Sequence, residues 1–532
     1  MLSISSPITS GAAVRYYVDL TNEDYLTQGG EPMGEWVGGS ARKLGLKGKV
    51  VPEVFKNLMS GFSEDRSRAL VQNAGAADRQ RGWDLTFSAP KSVSVIWSQG
   101  DSNMRHQIEA AHSAAVRTAL EYLERNALWS RRGHAGLGRE RVGMCAAVFQ
   151  HGTSRAGEPS LHSHAVLASL AVREDGSTGS IQSKPLFMHK MAAGALYRAA
   201  LGAELIARLG LVLTQKEMRP FEVAGVVGSL VRAFSTRREQ IERLLNERSE
   251  SGPVAARRAA LMSRLPKGNL VRQDLFRAWE DVGRKLGWST RQALALVGKR
   301  TPPVGPITAR DLVGAVKHLS QFQAHFNERD LVRAVADQIQ SKGYRVAQIE
   351  SAVRGILPKL VNLGQLYGES QFTTKGTLRM ERAFLTRIAE GVHSSRHLVS
   401  ERAAGRIIDS RTLSEEQKLA VKFITTTPGT VKVVSGLAGT GKTFVFDVAR
   451  EIWEKAGYTV VGASLTGKAA ESLSRSAGIP SYTLASLLGQ RNRPIISAAG
   501  VSLASTSKPI APKAPTWSPL HGVRVPHLTV GI

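Results

Sequence analysis

Cysteine is almost absent: Cys145 stands alone among 532 residues, so no disulfide forms within one chain, and its apolar neighbours mark it as a small buried hydrophobe. Long apolar runs are missing as well. None approaches the roughly 18 residues that a membrane-spanning helix needs, and the start, Met-Leu-Ser-Ile-Ser-Ser-Pro, lacks the basic segment of a signal peptide. Negative charge is outnumbered, with 44 Asp and Glu against 71 Lys and Arg, a formal +27. Because 22% of residues are charged, the imbalance is an excess of bases, and it points to a polyanionic partner, nucleic acid or an acidic membrane surface. A cytoplasmic nucleic-acid-binding protein of about three or four domains is the expectation, with no membrane insertion.

What the chain does have is one stretch dense in histidine, His151-Gly-Thr-Ser-Arg-Ala-Gly-Glu-Pro-Ser-Leu-His162-Ser-His164. Apolar runs flank it, Val142 to Phe149 before and Ala165 to Val172 after. Two strands joined by a loop containing Gly and Pro are expected. Side chains alternate along a strand, so His162 and His164 share a face, and His151, at the end of the neighbouring strand, completes a three-imidazole cluster. Three neutral imidazoles on rigid strands suit a divalent metal and leave a position for a substrate oxygen. The plainer alternative, three histidines that never meet, fits a lone His better than this spacing.

Tyr16, Tyr17 and Tyr25 are three of only nine tyrosines. A phenol titrating near pH ~10 is a poor nucleophile without a metal or base; taken alone, the cluster reads as packing, with base stacking the alternative. Trp83 to Ser88 alternates as a strand, and Ser88 reads as the N-cap of a helix whose first turn holds Pro90. Asp84 on that strand is placed to orient a histidine or take a proton, although an isolated strand aspartate is more simply a solvated one. A helix from Asn103 to about Ala127 (Ile108, Ala111, Ala115, Leu120, Leu123) is scaffold.

Together, Tyr16-Tyr17, Asp84-Leu-Thr-Phe-Ser-Ala-Pro-Lys-Ser-Val-Ser, His151-x-Thr-Ser-Arg and Leu161-His-x-His-Ala-Val resemble the conjugative relaxases of the TrwC/TraI (MobF) class. The resemblance extends over residues 1–295, including Phe234-Ser-x-Arg. It implies an α+β relaxase domain: an antiparallel palm carrying a three-histidine metal site, with helices closing over single-stranded DNA. Tyr16 matches the nicking tyrosine and Tyr17 is its immediate neighbour. Tyr25 matches a second tyrosine group, where relatives often carry a pair and this chain has Tyr25-Leu26. Asp84 matches the carboxylate beside the nucleophile, and His151, His162 and His164 match the ligands of a divalent ion, Mg2+ or Mn2+. The implied partners are single-stranded DNA at a transfer origin, accessory relaxosome proteins and a coupling protein.

Arg300-Thr-Pro-Pro-Val-Gly-Pro306 reads as a connector. Residues 308–405 follow as short helices, with Asn327 capping one, and a small hairpin around Gln365 and Gln371, a winged-helix-like module. Residues 406–490 read as a partial α/β P-loop (RecA-like) domain: a strand at Val431 to Val434, then Gly436-Leu-Ala-Gly439-Thr-Gly441-Lys442-Thr443 and a helix. In such a loop backbone amides cradle phosphates, Lys442 reaches them and Thr443 holds magnesium. By resemblance to a helicase motor Gln417 contacts adenine, and Gly462-Ala-Ser-Leu-Thr-Gly-Lys468 matches a DNA-contacting motif. ATP binding at this loop is therefore an expectation. After Gln490 no Asp or Glu remains to supply an acidic Walker B, and Pro494, Pro509, Pro512, Pro515, Pro519 and Pro526 punctuate 491–532. That tail reads as disordered, the motor as truncated, and unwinding as absent.

Three functions remain in play on sequence: a metal-dependent DNA strand transferase acting through tyrosine, a metal-dependent hydrolase activating water, and a DNA-binding remnant without catalysis.

Overall fold

The structure, a computed structural model, describes residues 1–11, 14, 33–133, 137–154, 156–236, 247, 272–437 and 439–489. Tyr16, Tyr17, Tyr25 and the tail 491–532 lie outside the described residues, so the expectations placed on them stay there. The chain packs as two units, Met1–Thr377 and the part from Leu378 onward. Among the described residues no helix is long and apolar enough to cross a membrane.

The first unit is built on β1 (Leu2–Ile4), β2 (Glu35–Val37), β3 (Gly82–Ser88), α1 (Lys91–Gln99), α2 (Ser102–Ala127), the ribbon β4 (Trp129–Arg132) and β5 (Gly138–Arg141), β6 (Ala146–Thr153), β7 (Pro159–Ala168), α3 (Ser183–Leu209) and α4 (Arg272–Lys285). A five-stranded antiparallel sheet runs β1-β3-β7-β6-β2. Alternation gives the sheet two different faces. Trp83, Leu85, Phe87, Leu161 and Ala165 point into the larger core with α2 and α3. Ala147, Phe149, Val166 and Ala168 point into a smaller core with Phe55, Leu58 and Leu70. The helix expected at Asn103 runs Ser102–Ala127, capped by the Asp101 side chain, which accepts from the Met104 amide. The cap expected at Ser88 is displaced: Ser88 ends β3, and Pro90, extended at ψ 149°, is the N-cap of α1. The residue before a proline avoids helical geometry, so Ala89 does not take the first helical position that a cap at Ser88 would require.

Beyond the connector come α5 (Ala309–Phe322), β8 (Phe326–Asn327), α6 (Glu328–Ile339), α7 (Val346–Ile356), β9 (Val361–Leu366) and β10 (Glu369–Thr373). Asn327 and Asp330 form a reciprocal capping box on α6. The hairpin β9–β10 turns through Tyr367 and Gly368, both at positive φ (52° and 81°), the backbone of a tight primed turn. This segment shares the larger core through Phe326, Leu331, Val335 and Ile349. It packs closely on α3, where a Cβ on Gly202 would stand 2.1 Å from the Gln340 carbonyl oxygen. Arg198 of α3 pairs with Asp337 of α6 beside that contact.

The second unit holds α8 (Glu401–Asp409), α9 (Glu415–Thr426), α10 (Lys442–Lys455), β11 (Gly462–Ser464), α11 (Gly467–Ala477) and β12 (Ser481–Thr483). Its core joins Ala404, Ile408, Val421, Ile424, Val448 and Ile452, and β11 and β12 pair in parallel. The strand expected at Val431 to Val434 does not form; the segment has no regular structure. A strand exists by pairing, and no hydrogen-bonded neighbour lies beside it among the described residues.

Candidate metal centre and phosphate loop

The end of β7 that emerges from the smaller core carries the site. Register pairs His151 with His162, Thr86 with His164 and Ser88 with His162, and directly paired residues share a face. The three expected ligands therefore converge: ring centres lie 5.6 Å apart for His151–His162, 5.4 Å for His151–His164 and 5.1 Å for His162–His164. A tetrahedral ion about 2.1 Å from one nitrogen of each ring would set the centres roughly 5 Å apart. Among the described residues no three His, Cys, Asp or Glu already aim at one point as a finished cage. The spacing of the centres is the better guide, because small turns about χ2 redirect the nitrogens and leave the centres almost in place.

Two rings have their protons assigned by their partners. His162 Nδ1–H donates to the Ser160 carbonyl at 2.7 Å, and a carbonyl can only accept. His164 Nδ1–H donates to Asp84 Oδ2 at 2.8 Å, with the side chains only 15% and 9% exposed. Both arrangements leave Nε2 as the lone-pair nitrogen, the carboxylate–histidine pattern that orients metal ligands. The donor set thus fits a divalent ion of borderline softness. Asp84, for which the sequence left open orienting a histidine or taking a proton, accepts from His164 here.

Sequence reasoning missed what lies behind the strand. Ser163, facing the opposite way from its two histidine neighbours, is bonded to His112 Nε2 at 2.8 Å, and His112 Nδ1 to the Tyr197 hydroxyl at 2.9 Å. Burial first, and then His162, hold the His112 imidazole far below its ordinary range, at about 3, so it is a neutral tie between α2, β7 and α3. A histidine on the apolar stripe of α2 was the available signal. The turn between the ligand strands is a second such junction. Glu158 Oε1 accepts from the Thr236 amide at 2.6 Å and from its hydroxyl at 2.5 Å, and the Trp279 indole donates to the Gly157 carbonyl at 2.9 Å. Lys91 donates to the Pro159 carbonyl at 2.9 Å, its pKa lowered by burial against the raising effect of Glu158.

In the second unit the glycine-rich loop runs into α10 without the strand expected before it. Gly439 and Gly441 sit at φ 82° and 79°, a region glycine enters without strain, and Gly441 caps α10. Lys442 Nζ folds back onto the carbonyls of Gly436 and Leu437 at 2.6 and 2.8 Å. Gln417 forms a capping box with Ser414 and donates to the Thr440 carbonyl at 3.1 Å.

The family model described as TrwC relaxase matches residues 10–286, a little over half the chain, and one described as AAA domain matches 412–514. The multifunctional conjugation protein TraI of Escherichia coli is 31% identical over 358 residues, covering 62% of this chain and 19% of that protein. The probable conjugal transfer protein TraA of Sinorhizobium fredii is 35% identical over 178 residues, covering 32% of this chain and 16% of that one. The conjugative relaxase TrwC in complex with oriT DNA, metal-bound, has 28% identity and a TM-score of 0.49, covering 55% of this chain and all of that one. The chain spans about a fifth of the length of the curated relatives it matches. With the sheet, the three histidines and the match across more than half its length, the chain belongs to the TrwC relaxase family.

Proposed function

We propose that this chain nicks single-stranded DNA at a transfer origin by transesterification, with Tyr16 as nucleophile. The observation that carries the reading is the cluster of His151, His162 and His164, with two ring tautomers assigned by the Ser160 carbonyl and Asp84. These histidines would hold a divalent ion, Mg2+ or Mn2+ being the expectation and imidazole donors suiting Mn2+ the better of the two; when bound it would polarise the scissile phosphate and offset the charge that grows on the non-bridging oxygens. The Tyr16 oxygen attacks phosphorus in line and passes its proton to solvent water, which returns one to the departing 3′ oxygen. The P–O3′ bond breaks, giving a 5′-phosphotyrosine and a free 3′-hydroxyl, with the bond's energy kept for rejoining. Asp84 keeps His164 in the required tautomer, Tyr17 flanks the nucleophile, and Tyr25 serves a later strand transfer.

The excess of basic residues grips the backbone, while base contacts and DNA shape select the site. Accessory relaxosome proteins and a coupling protein are the expected partners. We assign residues 308–405 to a winged-helix-like module, on the order helix, short strand, two helices, hairpin. Residues 406–490 are assigned to a P-loop segment that binds nucleotide through Gly436, Gly439, Gly441, Lys442 and Thr443, with Gln417 beside it.

The test is cleavage of end-labelled single-stranded origin DNA from the element that encodes the chain, with magnesium or manganese, beside Tyr16→Phe and His162→Ala. A protein adduct on the 5′ end, lost in both variants, is expected. A free 5′-phosphate that survives Tyr16→Phe would replace this reading with a water-activating hydrolase. Binding without any cleavage would reduce the chain to a DNA-binding remnant.

A further inference from the structure

A groove of about 1090 Å³ lies between the body of the first unit and the segment after the connector. One wall is the end of α2, the β4–β5 ribbon and the start of α3; the other is α6, α7 and the tip of the β9–β10 hairpin. One ion pair joins the walls, Arg125 with Glu350 at 2.8 Å, and a second, Arg329 with Glu369 at 2.7 Å, braces the second wall. None of the histidine ligands lines it.

Once those pairs are set aside, positive charge remains. Arg139, Lys184 and Arg354 line the groove, are exposed, and take part in no ion pair among the described residues. Arg141 lies over the Trp129 ring, 5.0 Å from its centre, and gives its hydrogen bond to the Arg125 carbonyl rather than to an acid. Tyr367 at the hairpin tip is 96% exposed, held outward by its left-handed backbone. A large apolar ring presented to water beside unpaired cations has no packing role. Cations interleaved with flat rings in a groove are what a single strand of nucleic acid requires: phosphates for the guanidinium and ammonium groups, bases for the rings. The groove has the size of a small-molecule pocket and takes a few nucleotides, not a duplex. An acidic polypeptide would use the cations and leave Trp129 and Tyr367 without a purpose.

We propose that this groove is a second, sequence-tolerant binding site for single-stranded DNA, in which Trp129 and Tyr367 stack on bases while Arg139, Lys184 and Arg354 contact phosphates. It does not rest on the nicking chemistry; it places a track for the strand on a surface that none of the three histidines lines.

The experiment irradiates the full chain with an oligothymidylate carrying 5-bromodeoxyuridine and maps the crosslinked peptides by mass spectrometry. Crosslinks are expected on peptides containing Trp129 or Tyr367. They should fall about fivefold or more in Tyr367→Ala, the loss expected for one stacked base, and persist in Tyr367→Phe, which keeps the ring. In the triple variant Arg139→Ala, Lys184→Ala, Arg354→Ala, the dependence of binding on salt should flatten by up to about 2 in log–log slope, at ~0.7 per phosphate contact. Equal melting temperatures would show that these exposed changes leave the fold intact. Crosslinks confined to peptides outside 122–141 and 361–373 would overturn the proposal. So would displacement of the probe from these peptides by polyglutamate at matched charge, which would reassign the groove to acidic polypeptides. The crosslink is read without strand cleavage, so this proposal and the nicking reading stand or fall separately.

Discussion

Asp84 offers a direct measure of how far the histidine cluster depends on its support. The carboxylate accepts from His164 Nδ1 at 2.8 Å and is only 9% exposed, so water cannot readily take its place. Replacing such a partner costs about 10–100-fold in metal affinity, equal to about 1.4–2.7 kcal/mol. The structure orders the two obvious variants within that range. In Asp84→Asn the amide oxygen still accepts from Nδ1–H and only the charge is lost, so about tenfold weaker binding is expected. Asp84→Ala removes the acceptor too and leaves His164 free to adopt the wrong tautomer, so the loss should approach a hundredfold. Thr86 supplies the control: its hydroxyl stands 3.4 Å from the same nitrogen, too far to contribute much, and Thr86→Ala should stay near wild type. Calorimetric titration with manganese reads the affinities without reference to catalysis. If both Asp84 variants bind within twofold of wild type, Asp84 does not orient His164 and the assignment of its role is wrong.

Two further outcomes follow from the packing and the buried imidazoles. A Cβ at Gly152 would stand 2.4 Å from the Trp97 ring, which is itself fully buried against Phe276 and Trp279. Gly152→Ala should therefore cost about 1–3 kcal/mol by overpacking, read as a lowered melting temperature; an unchanged melt would contradict the packing of Trp97. His189, bonded to the Tyr122 hydroxyl, has its pKa lowered to about 4, by burial first and then by Arg329 and Arg141. The unfolded chain then binds the extra proton between pH ~6.5 and about 4, so stability is retained above that window and falls as the solution is acidified through it. His189→Gln should flatten that fall in chemical denaturation across the window, and an identical pH profile would count against the imidazole being buried neutral.

The histidine site was legible because its information is local. Two residues on one strand and a third on the next obey the alternation of side chains, and β6–β7 is a short-range pairing. The helix at 102–127 and the Asn327 capping box were legible for the same reason, since each depends on residues a few positions apart. What stayed hidden depends on partners far along the chain: His112 with Ser163 and Tyr197, Glu158 with Thr236, Gly157 with Trp279, Gly202 with Gln340. No spacing rule announces such meetings. Val431 to Val434 shows the converse, because its side chains favour a strand and only a neighbouring strand could make it one.

The pairing of β6 with β7 also says how this region can change over evolutionary time. His151 faces His162 directly, and the register then shifts before Thr153 meets Pro159. Inserting or deleting one residue between His162 and His164 would swing one histidine to the opposite face of the sheet, so length there is constrained more tightly than most side chains. The turn beyond the shift is where an extra residue would do least harm to the register. Yet Gly157 and Glu158, which tie down Trp279 and Thr236, occupy that turn. Length changes that preserve the cluster are thus expected to land between Ser154 and Gly157, or to be absent.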